Sequence, residues 1–146
     1  MLLQLNIKNF ALIEELTINF EKGFNVLTGE TGAGKSILID AINYVLGGKF
    51  NKGLIRTGEN RTFVEAIFDI ENTTIANVLK HMDISCEDLL IISRETFKSG
   101  KSVVKANGKS LLIADIRKIS SILINIHGQH DNQELLNSAK HIYYLD

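Results

Sequence analysis

Apolar and polar residues alternate at the start of the chain. Over residues 2–7 the alternation puts Leu3, Leu5 and Ile7 on one face, the period of a β-strand. Leu16, Ile18 and Phe20 alternate again, ahead of a turn at Lys22-Gly23, and a third apolar run spans Phe24 to Leu27. After Lys35 the period changes. Leu38, Ala41, Ile42, Val45 and Leu46 recur at the i, i+3, i+4, i+7, i+8 spacing of a helix with one buried stripe, and Gly47-Gly48 supplies its stop. Residues 62–70 predict a strand with Val64, Ala66, Phe68 and Ile70 on one face; Ile75, Val78, Leu79 and Met82 have helical spacing; residues 88–93 predict another strand. Asn107-Gly108 lies between two apolar stretches and predicts a hairpin, because a type I′ turn needs φ > 0 at both central residues. Residues 112–121 predict a helix, 122–128 (ILINIHG) a strand ending in glycine, and the segment from Asp131, with Leu135, Leu136, Tyr143, Tyr144 and Leu145, a further helix. The chain thus predicts three strands, a glycine-rich loop and a helix, then a β-rich middle, then a return to α/β, with no internal repeat, linker or low-complexity segment.

Composition bounds this picture without changing it. The 146 residues suit one domain with a real core, and 45% hydrophobic with 23% charged residues is ordinary for a globular protein. A net charge of −1 gives no overall basic field that would advertise nucleic acid. The single cysteine, Cys86, excludes an internal disulfide framework. No apolar run has membrane-spanning length, and the first ten residues lack the pattern of a signal peptide, so the expectation is a cytoplasmic protein with no membrane partner.

The chemistry is concentrated in residues 29–36, GETGAGKS, which fit G-x-x-x-x-G-K-[ST] at every fixed position. Gly29, Gly32 and Gly34 let the backbone turn so that successive N–H groups point inward, and with Glu30, Thr31, Ala33 and Ile37 they form the cradle. These amides and the N-terminus of the following helix make an anion site. Lys35 adds a point charge for the β- and γ-phosphates, and Ser36 offers a hydroxyl to Mg²⁺, which takes few protein ligands. The motif follows a predicted strand and opens an amphipathic helix, the context it requires. ATP and Mg²⁺ are the cofactors this implies.

Residues 5–48 (LNIKNFALIEELTINFEKGFNVLTGETGAGKSILIDAINYVLGG), 55–70, 91–112 and 124–136 (INIHGQHDNQELL) together resemble the RecN family of bacterial DNA repair proteins, which is similar to the SMC proteins and has an ABC-type ATPase head. The resemblance covers essentially the whole chain. It implies an α/β P-loop NTPase fold, the N-terminal lobe of an ABC/SMC-type head with a mixed β-sheet and an antiparallel β-subdomain. It implies a single ATP-binding lobe over 1–146, ending before a coiled-coil arm. The partners implied are the C-terminal half of the same head, a second head in a dimer, and DNA through the full-length protein. The implied setting is the bacterial cytoplasm and nucleoid, and the implied work is double-strand break repair and recombination.

The resemblance also assigns residues. Gln129, in IHGQHD, occupies the Q-loop position, where a neutral amide can ligate Mg²⁺ and orient a water without adding charge. Its place after the predicted strand 122–127 suits the C-terminal edge of a sheet, where α/β folds bind ligands. Lys35 and Gln129 are therefore the candidate catalytic residues, and Ser36 and Gln129 the candidate Mg²⁺ ligands. Arg56 is a second candidate for the phosphates, with an exposed loop arginine the alternative of equal standing. The family's Gly-Gly-Arg-Ala-Asp after the P-loop helix is Gly47-Gly48-Lys49-Phe50-Asn51 here, so nothing carries over to 49–51. His127 and His130 have H-x-x-H spacing, but with no third ligand near in sequence they read as polar loop residues around Gln129 rather than a metal site. Arg94, Lys98, Lys101, Lys105 and Lys109 against Glu95 give segment 94–109 a charge of +4, which reads as a solvated face on a hairpin, with phosphate contact the alternative.

An ATPase of this class also needs an acidic strand end, a glutamate that polarises water, and a signature loop from a second head. AIFDIE (66–71) has the wrong pattern for the first, since its strand alternates where a buried central strand is apolar throughout. No LSGG-like stretch occurs. The expectation is half of an ATP·Mg site, in a chain that alone binds ATP weakly or not at all and does not turn it over. The alternatives are a non-enzymatic split-head interaction module, a self-contained P-loop phosphotransferase, for which no acceptor site or lid is visible, and an ABC transporter subunit.

Overall fold

The computed structural model describes residues 2–20, 32–70 and 73–126; for residues 32–36, 73 and 124–126 it describes the backbone alone. Six strands, β1 (Leu2–Phe10), β2 (Ile13–Asn19), β3 (Arg61–Asp69), β4 (Leu89–Phe97), β5 (Ser102–Ala106) and β6 (Lys109–Leu111), form one sheet in the order β2-β1-β3-β4-β5-β6. Every pairing in it is antiparallel. Three helices accompany it: α1 (Gly32–Val45), α2 (Thr73–His81) and α3 (Ile113–Ile126). The strand expected over Phe24–Leu27 and the helix expected beyond Asp131 lie outside the described residues.

Strand alternation decides which face is core. Leu5 and Ile7 of β1, Val64, Ala66 and Phe68 of β3, Leu90 and Ile92 of β4, and Val104 and Ala106 of β5 are all buried on one face. The helix α1 lies against β3, β4 and β1, and α3 packs on β5 and α2. The other face is polar where β1 meets β2 and β3: Asn6 donates to Gln4 and Glu65 and accepts from Thr17, and Gln4 donates to Asn19.

The predicted alternation is met in β2 and β3 and broken in β1. Leu2 pairs with Phe68 and Gln4 with Ile67, so Leu3 is an extra residue, a β-bulge. The bulge puts Leu2 in the core and leaves Leu3 half-buried, where an unbroken strand would have buried Leu3.

The strand expected over 122–128 is corrected for residues 122–126, which continue α3. A short apolar run is compatible with a buried strand or a buried helix, and the run alone does not separate them. What separates them is the stripe Ile116, Ile119, Ser120 and Leu123, which is helical and already begun. Each buried isoleucine or leucine of the stripe stabilises the packed helix by about 2 kcal/mol, against a helix-propensity penalty of roughly 0.5 kcal/mol per isoleucine. Packing therefore outweighs propensity. The segment leading towards Gln129 is helical through Ile126, not a strand.

Candidate nucleotide-binding site

The helix α1 begins at Gly32, inside GETGAGKS. Residues Gly32, Ala33, Gly34, Lys35 and Ser36 are thus helical backbone, and the amides of the first turn have no carbonyl within the helix to pair with. No acidic residue stands in that turn to compete for an anion. Gly29, Glu30 and Thr31 lie outside the described residues, as do His127, Gln129 and His130. Ile37 is half-buried, and from Leu38 the predicted stripe is buried: Leu38, Ala41 and Val45, with Ile42 and Leu46 packed at its margin.

Arg56 lies on a segment laid along the end of β1. Its backbone N–H donates to Asn9 O at 3.0 Å, the Ala11 N–H donates to Leu54 O at 2.7 Å, and Phe10 bridges to Ile55. The turn that receives this segment is strained, because Asn9 and Ala11 both have φ of 52°. The Arg56 side chain is half-buried.

The far end of α1 holds residues that the sequence pattern does not single out. Tyr44 is buried with its ring 5.5 Å from Phe10 and 6.3 Å from Phe50. Its hydroxyl shares a hydrogen bond with Thr96, which shares another with Ser102. Burial pushes the Tyr44 phenol above its ordinary value, partly offset by the Thr96 hydrogen bond and the charge of Arg94. Arg94 is 2% exposed and sits with its guanidinium carbon 4.4 Å from the centre of the Tyr44 ring. Its Nη1 donates to Tyr44 O at 2.8 Å and to Gly48 O at 2.6 Å. From α3, Arg117 Nε donates to Gly47 O at 2.7 Å and Ser120 Oγ to Leu46 O at 3.0 Å. Two cations and a hydroxyl thus occupy the carbonyls at the C-terminal end of the helix, where positive charge is favoured.

At Arg94 alone this corrects the reading of segment 94–109 as a solvated basic face. Arg94 is a core residue of β4, and its parity with Leu90 and Ile92 was the signal that could have placed it there. Lys98, Lys101, Lys105 and Lys109 are exposed as that reading expects, and Lys109 Nζ donates to Met82 O at 2.7 Å, just past the end of α2. Among the described residues no group of three or more His, Cys, Asp or Glu could hold a metal, and no helix is long and apolar enough to cross a membrane.

Comparison with known proteins agrees with this geometry. The AAA domain family matches residues 4–142. The DNA repair protein RecN of Bacillus subtilis (strain 168) is 47% identical over 148 residues, covering 100% of this chain and 26% of that protein. RecN of Vibrio cholerae serotype O1 is 37% identical over 147 residues, with the same coverage of 100% and 26%. Among solved structures, an SMC ATPase from work on ATP-driven dimerization and DNA-stimulated activation superposes with a TM-score of 0.71 at 25% identity, covering 92% of this chain and 90% of that one. The Smc head of Pyrococcus furiosus, with an extended coiled coil and bound to the C-terminal domain of ScpA, gives 0.71 at 25% identity, covering 92% and 37%. The chain therefore spans about a quarter of the length of these RecN relatives, to which it is similar from end to end, and it belongs to the AAA domain family with the fold of an SMC ATPase head lobe.

Proposed function

We propose that the chain is the N-terminal nucleotide-binding lobe of a RecN-like ATPase that acts in DNA double-strand break repair and recombination. The observation that carries this is the start of α1 at Gly32, within a complete G-x-x-x-x-G-K-S motif, in a chain similar throughout to RecN. The cradle is Gly29, Glu30, Thr31, Gly32, Ala33, Gly34, Lys35, Ser36 and Ile37, with Arg56 as a further cation towards the phosphates. Lys35 places its ammonium against the β- and γ-phosphates. Ser36 and Gln129 would hold Mg²⁺, and the Gln129 amide would orient the attacking water. The metal, when bound, would supply positive charge against the phosphates. The role of Gln129 rests on the RecN resemblance, since α3 does not supply the strand end first expected before it.

Hydrolysis on this reading needs an acidic strand end and a signature loop, which come from the C-terminal half of the head and from a second head. ATP-driven dimerization in a structural neighbour supports paired heads as the working state. The test has two parts. The full-length protein should hydrolyse ATP, and Lys35→Ala should abolish hydrolysis. The 146-residue chain should show none; ATPase activity in that chain, lost in Lys35→Ala, would overturn the half-site reading in favour of a self-contained enzyme. Retention of wild-type Mg·ATP binding by Lys35→Ala in the full-length protein would overturn the assignment of the cradle.

A further inference from the structure

Side chains of β4 and α3 tie α1 to the rest of the fold by hydrogen bonds at and just past its C-terminal end. Arg94 holds Tyr44 O and Gly48 O from β4, Arg117 holds Gly47 O from α3, Ser120 holds Leu46 O, and Thr96 holds the Tyr44 hydroxyl. Arg94 is buried, stacked on Tyr44, and fixed by two carbonyls while its own Nε is buried without a hydrogen-bond partner. A guanidinium kept in the core with one donor unmet has its position dictated by the contacts it does make. Its planar fork makes that position specific in a way that a lysine ammonium would not.

The opposite end of the same rigid element is Gly32 to Ser36. A helix of 14 residues is about 20 Å long, so a tilt of about 3° at one end moves the other by about 1 Å. A displacement of that size at a binding constellation is enough to change its affinity or rate by an order of magnitude or more. We infer that Arg94, supported by Arg117, is a positioning residue for the phosphate loop, setting from the far end the tilt at which α1 presents its N-terminal amides. Its functional consequence rests on the nucleotide-binding reading above; its structural consequence rests on the clamp alone.

The experiment is amide NMR on the 146-residue chain and on Arg94→Lys and Arg117→Lys, each without ligand and then titrated with Mg·ATP, with melting temperature recorded for each. The expected result is that Arg94→Lys moves the ligand-free amide resonances of residues 32–36 as well as those of 44–48. The Asn107-Gly108 turn should stay in place, and the Mg·ATP dissociation constant should rise about tenfold. Arg117→Lys should move the same amides by less. A folded Arg94→Lys whose residues 32–36 keep their wild-type resonances, whatever its melting temperature, overturns the inference and leaves Arg94 as a stability contact. If Arg94→Lys fails to fold, unmoved residues 32–36 in Arg117→Lys overturn it, and moved ones support it. If the wild-type chain shows no response to saturating Mg·ATP, nucleotide binding by the isolated lobe fails, while the ligand-free comparison still decides the positioning claim.

Discussion

The guanidinium of Arg94 lies over the ring of Tyr44 at 4.4 Å and, in the same pose, donates a hydrogen bond to the Tyr44 carbonyl at 2.8 Å. One side chain of β4 thus grips both the ring and the backbone of a residue on α1. Removing it strands the Gly48 carbonyl, takes one of two donors from the Tyr44 carbonyl, which keeps the Gly47 N–H at 3.1 Å, and opens space beside the ring. The stranded group costs about 1–3 kcal/mol, and the lost charge-assisted bond to Tyr44 O adds to it. Part of that is returned because a buried guanidinium with an unpaired Nε no longer has to be desolvated. Arg94→Met is therefore expected to destabilise the fold by about 3 kcal/mol, read from the midpoint of urea unfolding at unchanged slope. A loss under 1 kcal/mol would mean that the guanidinium's desolvation cancels its contacts.

Tyr44 makes stability depend on alkaline pH. Burial raises its phenol above the ordinary 10.0, so the folded state holds this proton more tightly than the unfolded chain does. The contribution is fully present below about pH 10 and is lost as pH rises through the folded value. Tyr44→Phe removes the hydroxyl and with it this dependence. At pH 7 the variant should be less stable by about 1 kcal/mol, since Thr96 keeps Ser102 as a partner. Unfolding measured at pH 7 and again above pH 10 should show the gap between wild type and variant narrowing. The comparison cancels Cys86, whose thiol is pushed up by burial in both proteins.

Much of this architecture is legible in residue order because one physical rule, burial of one face, writes it there. β2, β3, α1 and α2 have the faces their periodicity demands. The glycines end α1 as expected: Gly47 has φ of 100°, and Gly48 N–H closes back on Asn43 O. The failures each have a local cause. The bulge at Leu3 comes from the register with β3, which no reading of β1 alone contains. Ile122–Ile126 is an apolar run whose helical state is set by the stripe preceding it. Arg94 carries two opposed signals, a charge that suits the surface and a parity that suits the core. An arginine with the parity of Leu90 and Ile92 belongs to the core, and its partners are main-chain carbonyls, which leave no trace in side-chain pattern. The proposed phosphate loop is the opposite case: the function proposed for it would lie in backbone amides, yet the glycines, lysine and serine that would permit it are visible in the sequence.

Gly47 combines a left-handed backbone with a close approach. A Cβ there would stand 2.7 Å from Arg117 Cγ, so alanine would meet both a strained φ and the stem of the arginine that caps Gly47 O. The left-handed conformation costs about 1–2 kcal/mol for a residue with a Cβ, and moving Arg117 forfeits a charge-assisted hydrogen bond worth about 1.5–3 kcal/mol. Gly47→Ala should lower stability by about 2–4 kcal/mol in urea unfolding. In the Arg117→Ala background the same substitution should cost less, because the clash and the bond are already gone. Equal costs in both backgrounds would show that the strained φ alone sets the requirement for glycine.

Asn107 joins the hairpin of β5 and β6 to the start of β4. Its φ of 48° suits the turn, and Gly108 follows at 85°. Its Oδ1 accepts from the Ile91 N–H at 2.7 Å, and its Nδ2 donates to Ser85 O at 2.7 Å and Leu89 O at 3.1 Å. The amide thus completes three main-chain groups from outside the turn, a task separate from adopting the turn. Asn107→Gly keeps the conformation and removes the amide; Asn107→Asp keeps the acceptor and removes the donors. At a net worth of about 1 kcal/mol per hydrogen bond, Asn107→Gly should cost about 2–3 kcal/mol. Asn107→Asp should cost at least as much, because its carboxylate faces the Ser85 and Leu89 carbonyls that the amide satisfied. Amide hydrogen exchange at Ile91 separates the two: it should accelerate in Asn107→Gly and stay protected in Asn107→Asp. If Asn107→Gly is as stable as wild type, the turn conformation is all that position 107 supplies.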